Sequence, residues 1–275
     1  MALEDAVAAH YARPDLEARL LAILAEHGVD TGSLRPADLA AVDEFHVGGR
    51  EASEALAALL PAGAERHLLD IGSGIGGPAR FFAERLGCRV TGLDLTPDFV
   101  ATARGLTAKV GLAERVEFRV GSALALPFPE ASFDAASLLH VGMNIADKAR
   151  LMAEAARVLR PGGSFALYEV MRVGPGQVIY PVPWASDPDS SFPEAPEVYR
   201  RALEAAGFRV THERERRAFG LDFFKRQRAR AEAGKAGPNL APIMGESFKD
   251  KIANLVSAMA AGTLAPVELL AVKQG

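Results

Sequence analysis

Hydrophobic positions fall into two regimes along the 275 residues. Over roughly the first sixty residues they recur at helical spacing. In "DLEARLLAILAEHG", Leu16, Leu20, Ile23 and Leu24 share one face and the run stops at Gly28, and "REASEALAALL" repeats the pattern. From His67 the period changes. The short apolar runs "HLLDIG", "CRVTGLDL", "RVEFRVG", "FDAASLLH" and "SFALYEVM" read as strands. Helical runs separate most of them: "PARFFAERLG", with Pro78 in its first turn and Gly87 at its end; a helix opened by Thr96 and Pro97; and "KARLMAEAARVLR", which closes at "PGG" (161–163). Strands alternating with helices predict parallel βαβ units, an α/β fold with a doubly wound sheet.

Beyond Met171 the pattern is interrupted. Residues 173–197 hold six of the seventeen prolines together with Tyr180, Trp184 and Phe192, which predicts a structured loop over a site rather than a plain connector. The alternation resumes with the helix "APEVYRRALEAAG" and the strand "FRVTHERER". Helical segments near 221–234 and 246–261 follow, separated by "GPNLAP", and "PVELLAVKQ" reads as a closing strand. The expected organisation is a helical N-terminal lid over 1–60 and a main α/β domain over 61–275. That domain contains the loop 173–197 and a helical insert over 218–262 before the last strand.

Composition narrows the function classes. With 49% hydrophobic and 24% charged residues, the chain can bury a sizeable core without metals or disulfides. One cysteine, Cys88, excludes an intrachain disulfide and suits a reducing compartment. No apolar run reaches the roughly 20 residues of a membrane span, and the N-terminus lacks a basic region followed by an apolar one. A formal net charge of −4 offers no general attraction to nucleic acid or anionic lipid. The six histidines are scattered without ligand spacing, so no metal is expected. A cytoplasmic monomer or homodimer with a small-molecule partner is expected.

The chemistry concentrates around "LLDIGSGIGGPARFF". Gly72, Gly74 and Gly77 satisfy G-x-G-x-x-G, which keeps a nicotinamide-dependent oxidoreductase open. Asp70 shifts the balance, because a carboxylate just before the loop repels a pyrophosphate and suits a ligand bearing an ammonium group. Asp94 ends the next strand, where an acid can accept ribose hydroxyls. These residues, with "GSALALPFPEASFDAAS" and "RVLRPGG" in order, resemble the class I S-adenosylmethionine-dependent methyltransferases, closely over 66–172. Within that family "HVGMNIADKARLMAEAARVLRPGG" and the early "FHVGG" look most like the small-molecule branch: quinone-pathway C-methyltransferases, sarcosine/dimethylglycine N-methyltransferases and natural-product sugar O-methyltransferases.

The resemblance implies a seven-stranded sheet with its last strand antiparallel. It also implies S-adenosylmethionine held by Asp70, Gly72, Ser73 and Gly74 at the methionine part, and by Asp94 and Leu95 at the ribose. Where the family often has an acid meeting the adenine amine, this chain has Ser122, followed by Ala123. His46 and Gly49 belong to the cofactor side of the lid. His140 closes the fourth strand and either lines the pocket or acts as general base, with Glu169, one strand over, orienting it or holding the substrate. Asn144, Tyr180 and Trp184 are the candidate substrate contacts. The expected reaction is in-line methyl transfer to an N, O or C acceptor; a non-catalytic S-adenosylmethionine-binding module is the remaining alternative.

Overall fold

The computed structural model describes residues 3–11, 15–235, 237–239, 241–245 and 247–275. Seven strands form one sheet in the order β3-β2-β1-β4-β5-β7-β6. These are β1 (His67–Ile71), β2 (Arg89–Asp94), β3 (Val116–Val120), β4 (Phe133–Leu139), β5 (Leu159–Arg172), β6 (Phe208–Glu215) and β7 (Leu264–Lys273). Strands β1 to β5 pair in parallel, while β7 lies antiparallel to both β5 and β6. Strand order reverses between β1 and β4. That is the switch point where an open α/β sheet leaves a crevice at its carboxyl edge.

Central strands covered on both faces must be apolar on both faces, and β1 and β4 are buried along nearly their whole length. On one face pack α7 (Lys148–Val158) and α8 (Pro196–Ala205), with Leu151, Met152, Tyr199 and Leu203 against Leu69, Leu138 and Phe165. On the other lie α4 (Gly49–Ala57), α5 (Gly77–Leu86) and α6 (Pro97–Lys109), led by Leu56, Phe82 and Ala103. Helix α5 starts where the sequence indicates: Gly76 stands at φ +86° just before it, Pro78 occupies its first turn, and Gly87 closes it in the left-handed region.

The N-terminal segment is helical: α1 (Leu3–Tyr11), α2 (Leu16–Glu26) and α3 (Pro36–Asp43). Leu16, Leu20, Leu24, Leu39 and Val42 form a cluster with Phe99 and Leu106 of α6, so this segment is packed onto the sheet's helices. The insert before β7 holds α9 (Arg217–Glu232), the short α10 (Ala241–Met244) and α11 (Phe248–Ala260). One boundary differs from the sequence reading. The helix ends at Val158 and "RPGG" belongs to β5, because Leu159 already pairs with Phe133 before a register shift brings Ser164 opposite Ala135. A glycine-rich turn has been absorbed into an irregular strand start.

Candidate functional site

The glycine loop joins β1 to α5 and is drawn under β2 by its own backbone. Gly72 and Ser73 both donate N–H to the Leu93 carbonyl, at 2.7 and 2.9 Å. Gly72 sits at φ +73°, and a Cβ there would fall 2.2 Å from Val141, so neither the backbone angle nor the space admits a side chain. The Asp94 carboxylate ties the loop from the other side, accepting from Gly74 N–H at 2.8 Å and from Thr96 N–H at 2.9 Å. Asp94 itself lines the crevice.

Asp70 is almost fully buried and, among the described residues, receives a single side-chain hydrogen bond, from Ser137 Oγ at 2.7 Å, on one oxygen. Its other oxygen, Oδ2, is buried with no partner among them. Burial pushes its pKa up to about 7, against a smaller opposing effect of the Ser137 hydroxyl. Buried carboxylate oxygens without partners are costly in folded proteins, so this atom is suited to receive a cation or an N–H donor.

The segment between α3 and α4 forms the opposite wall. His46 is buried, with Nε2 3.0 Å from the Gly49 carbonyl, and burial drives its pKa down to about 3. Glu44, also buried and raised in pKa by burial, lies 2.9 Å from Arg50 Nε and accepts the Ser53 hydroxyl at 2.7 Å. Glu44, His46, Gly49 and Arg50 all line the cavity.

His140 stands at φ +54°, an unusual backbone conformation for a side-chain-bearing residue, and one that collects at functional turns. Its Nδ1 lies 2.9 Å from the Tyr168 carbonyl, which makes that nitrogen the N–H donor. Its Nε2 accepts the Val47 N–H at 3.2 Å. Both ring nitrogens are thus occupied, and burial lowers the pKa to about 4. Glu169 does not orient this ring. Its carboxylate, fully buried, accepts from Val141 and Gly142 N–H at 3.1 and 2.9 Å and so holds the turn Gly142–Asn144. The expected His140–Glu169 pair is therefore absent, because the two side chains are spent on two different backbone segments.

The crevice widens into a cavity of about 970 Å³. Asp70, the loop 72–74, Asp94, Leu95, Ala123 and His140 line one part of it. Met143, Trp184, Phe223, Phe224, Phe248 and Leu255 line the apolar remainder. Asn144 lines it too, but its amide is committed to the carbonyls of Trp184 at 2.8 Å and Ser190 at 3.0 Å, fastening the 183–192 loop. Tyr180 is not among the lining residues of the cavity; it packs against the apolar cluster that holds Val182, Trp184 and Met259. Ser122 stands at the rim rather than in the lining, its hydroxyl donating to Glu4 of α1. One lining residue has no signature in the sequence. Tyr11 enters from α1, donates its hydroxyl to Asn144 Oδ1 at 3.2 Å, and is raised in pKa by burial and by the carboxylates of Asp94 and Glu169.

Fold and strand-end acids together are similar to those of the class I methyltransferases, which use S-adenosylmethionine. Residues 69–167 match the family model described as a methyltransferase domain. Among curated proteins the chain is 32% identical to the methyltransferase GfsG of Streptomyces halstedii over 134 residues, 49% of this chain and 48% of that one. Aligned segments span about half or less of the curated relatives' lengths, 48% for that protein and 32% for a probable tocopherol O-methyltransferase of Oryza sativa subsp. japonica. Among solved structures, the geranyl diphosphate C-methyltransferase of Streptomyces coelicolor A3(2) superimposes with a TM-score of 0.71 at 19% identity, covering 99% of this chain and 98% of that one. The [4+2]-cyclase SpnF shares the fold at a TM-score of 0.65 and 24% identity, over 81% of this chain and 80% of that one. A fold that serves a cyclase as well as methyltransferases leaves the chemistry to be argued from the site.

Proposed function

We propose that this protein transfers the methyl group of S-adenosylmethionine to a bulky, largely apolar small molecule at a nitrogen, oxygen or carbon atom. The observation that carries the reading is the buried, unpartnered Asp70 Oδ2 lying one strand from Asp94 at the sheet's switch point. Asp70 is suited to the ammonium of the methionine part, and Asp94 to the vicinal hydroxyls of the ribose. The bound cofactor supplies an electrophilic methyl on a sulfonium, so the protein's work is alignment and exclusion of water.

Alignment falls to rigid parts. Gly72–Gly74, stapled to β2, and the turn held by Glu169 frame the point where the cofactor half of the cavity opens into the apolar half. The apolar wall of Trp184, Phe223, Phe224 and Phe248 suits an acceptor with a hydrophobic body. His140 serves as a clasp: it fastens the Val47 segment to β5 and closes that side against solvent. An imidazole with a pKa near 4 is a weak base, and its Nε2 lone pair is already in use. The buried Cys88 thiol is in keeping with a reducing, cytoplasmic setting.

The test is a transfer assay with tritiated S-adenosylmethionine against a panel of apolar phenols, quinols, amines and prenyl alcohols, paired with calorimetry of S-adenosylhomocysteine. Cofactor binding with label appearing in an apolar acceptor supports the reading. A protein that binds no S-adenosylhomocysteine overturns it.

A further inference from the structure

The cavity's purine end poses a question that the strand-end acids do not answer. Asp70 on β1 and Asp94 on β2 receive the ammonium and the ribose in the reading above, on which this inference rests. A ligand laid across those two strands places its base over the next one, β3. There the Gly121 N–H donates to the Asp94 carbonyl at 3.0 Å, and Gly121, Ala123 and Leu124 line the cavity. Adenine presents a donor on its exocyclic amine at that end, and a carboxylate is its strongest neutral-pH acceptor. The turn after β3 supplies only the Ser122 hydroxyl.

The carboxylate arrives from elsewhere in the chain. Glu4, on the first turn of α1, lines the cavity and accepts the Ser122 hydroxyl on Oε1. Ser122 Oγ accepts the Leu124 N–H at 3.0 Å, so its own proton is directed to Glu4 and the carboxylate is oriented by the turn itself. Asp147 also lines the cavity, and its neighbour Arg150 donates to the Leu124 carbonyl at 2.9 Å, while Glu154 is spent on the Leu126 N–H and on Arg157. Asp147 is already committed as the cap of α7, accepting the Arg150 N–H at 2.8 Å. Leu3, Val7 and Tyr11 of α1 line the same cavity, so the helix that carries Glu4 also covers the base.

We infer that Glu4 is the purine-specificity residue of this enzyme: its carboxylate, held by Ser122, accepts the exocyclic amine of the cofactor's adenine. The N-terminal helix is then a reader of the cofactor as well as a cover over it. A 6-oxo purine in the same position puts a carbonyl oxygen against the carboxylate, two acceptors with no proton between them. Sites built to pair with a donor reject an analogue lacking it.

Calorimetry on the full chain, with no acceptor present, compares S-adenosylhomocysteine with the analogue in which hypoxanthine replaces adenine. The parent is expected to prefer the adenine form by about tenfold or more. Glu4→Ala should bring the two affinities within about twofold of each other, with most of the loss on the adenine form. Glu4→Gln, which keeps the hydrogen bond from Ser122 but can also turn its amide N–H toward a carbonyl, should narrow the preference in the same direction. Undocking of α1 would weaken both ligands alike and leave their ratio unmoved, so the ratio separates base reading from simple coverage. A parent that binds both forms equally, or variants that keep the parent's ratio, overturn the inference while the cofactor reading stands. Failure of the parent to bind either form defeats the cofactor reading itself.

Discussion

Cofactor binding should be strongly pH-dependent, and Asp70 should be the cause. Burial pushes its pKa up to about 7, so near neutrality it is protonated about half the time. Pairing with an ammonium requires the carboxylate, and binding from the protonated form must release a proton. At pH 6 only ~9% of such a group is ionised and at pH 8 ~91%, so affinity should rise about tenfold between them, ~1.4 kcal/mol. The sign follows from linkage: the free state holds more protons than the complex, so raising pH favours the complex. Calorimetry of S-adenosylhomocysteine across pH 6–8, in buffers of different ionisation enthalpy, measures both the slope and the proton released. Glu169, raised to about 7, and Glu44, raised by burial, ionise in overlapping ranges but survive in Asp70→Asn. That variant should lose affinity and lose the slope. An affinity constant within twofold across the range in the parent, or a slope retained in Asp70→Asn, would refute the reasoning.

Other outcomes follow from the same geometry. Asp94→Asn keeps the side chain's volume but substitutes an N–H for one acceptor of the Gly74 and Thr96 amides, and should cost about 1.5–3 kcal/mol of cofactor affinity by calorimetry. His140→Asn retains a donor for the Tyr168 carbonyl and tolerates positive φ, so turnover should fall by less than about tenfold, well under the loss expected of a missing general base. An acidic limb in the pH–rate profile that disappears in that variant would restore the base assignment. Gly72→Ala meets Val141 at 2.2 Å in a left-handed backbone and should destabilise the fold by about 1–3 kcal/mol in urea unfolding, with cofactor affinity lost in the folded fraction. Trp184→Ala should raise KM for an apolar acceptor several-fold while leaving S-adenosylhomocysteine affinity within about twofold, since Trp184 belongs to the apolar half of the cavity.

The chain's local patterning determined the architecture because periodicity and turn chemistry are local properties. Strand runs ending in Asp70, Asp94 and His140, and helix boundaries marked by Pro78 and Gly87, were legible residue by residue. The carboxyl edge of a parallel sheet then collects those strand ends without further instruction, which is why the cofactor half of the site was readable. The antiparallel β7 between β5 and β6 followed from the family's order, since nothing local states a strand's neighbour. What a side chain does at its destination is not local. His140 directly follows β4 and Glu169 lies near the carboxyl end of the adjacent β5, so they look like a catalytic pair in one dimension, yet they are consumed by different backbone N–H groups, Val47 for one and Val141 with Gly142 for the other. Tyr180 and Trp184 share one proline-rich loop, but the turn in that loop sends only Trp184 into the cavity. Glu4 and Tyr11 reach the site across more than a hundred residues of sequence, through contacts with Ser122 and Asn144 that no spacing encodes. The sequence decided which groups arrive at the sheet's edge; tertiary packing decided which of them still have a lone pair to offer when they get there.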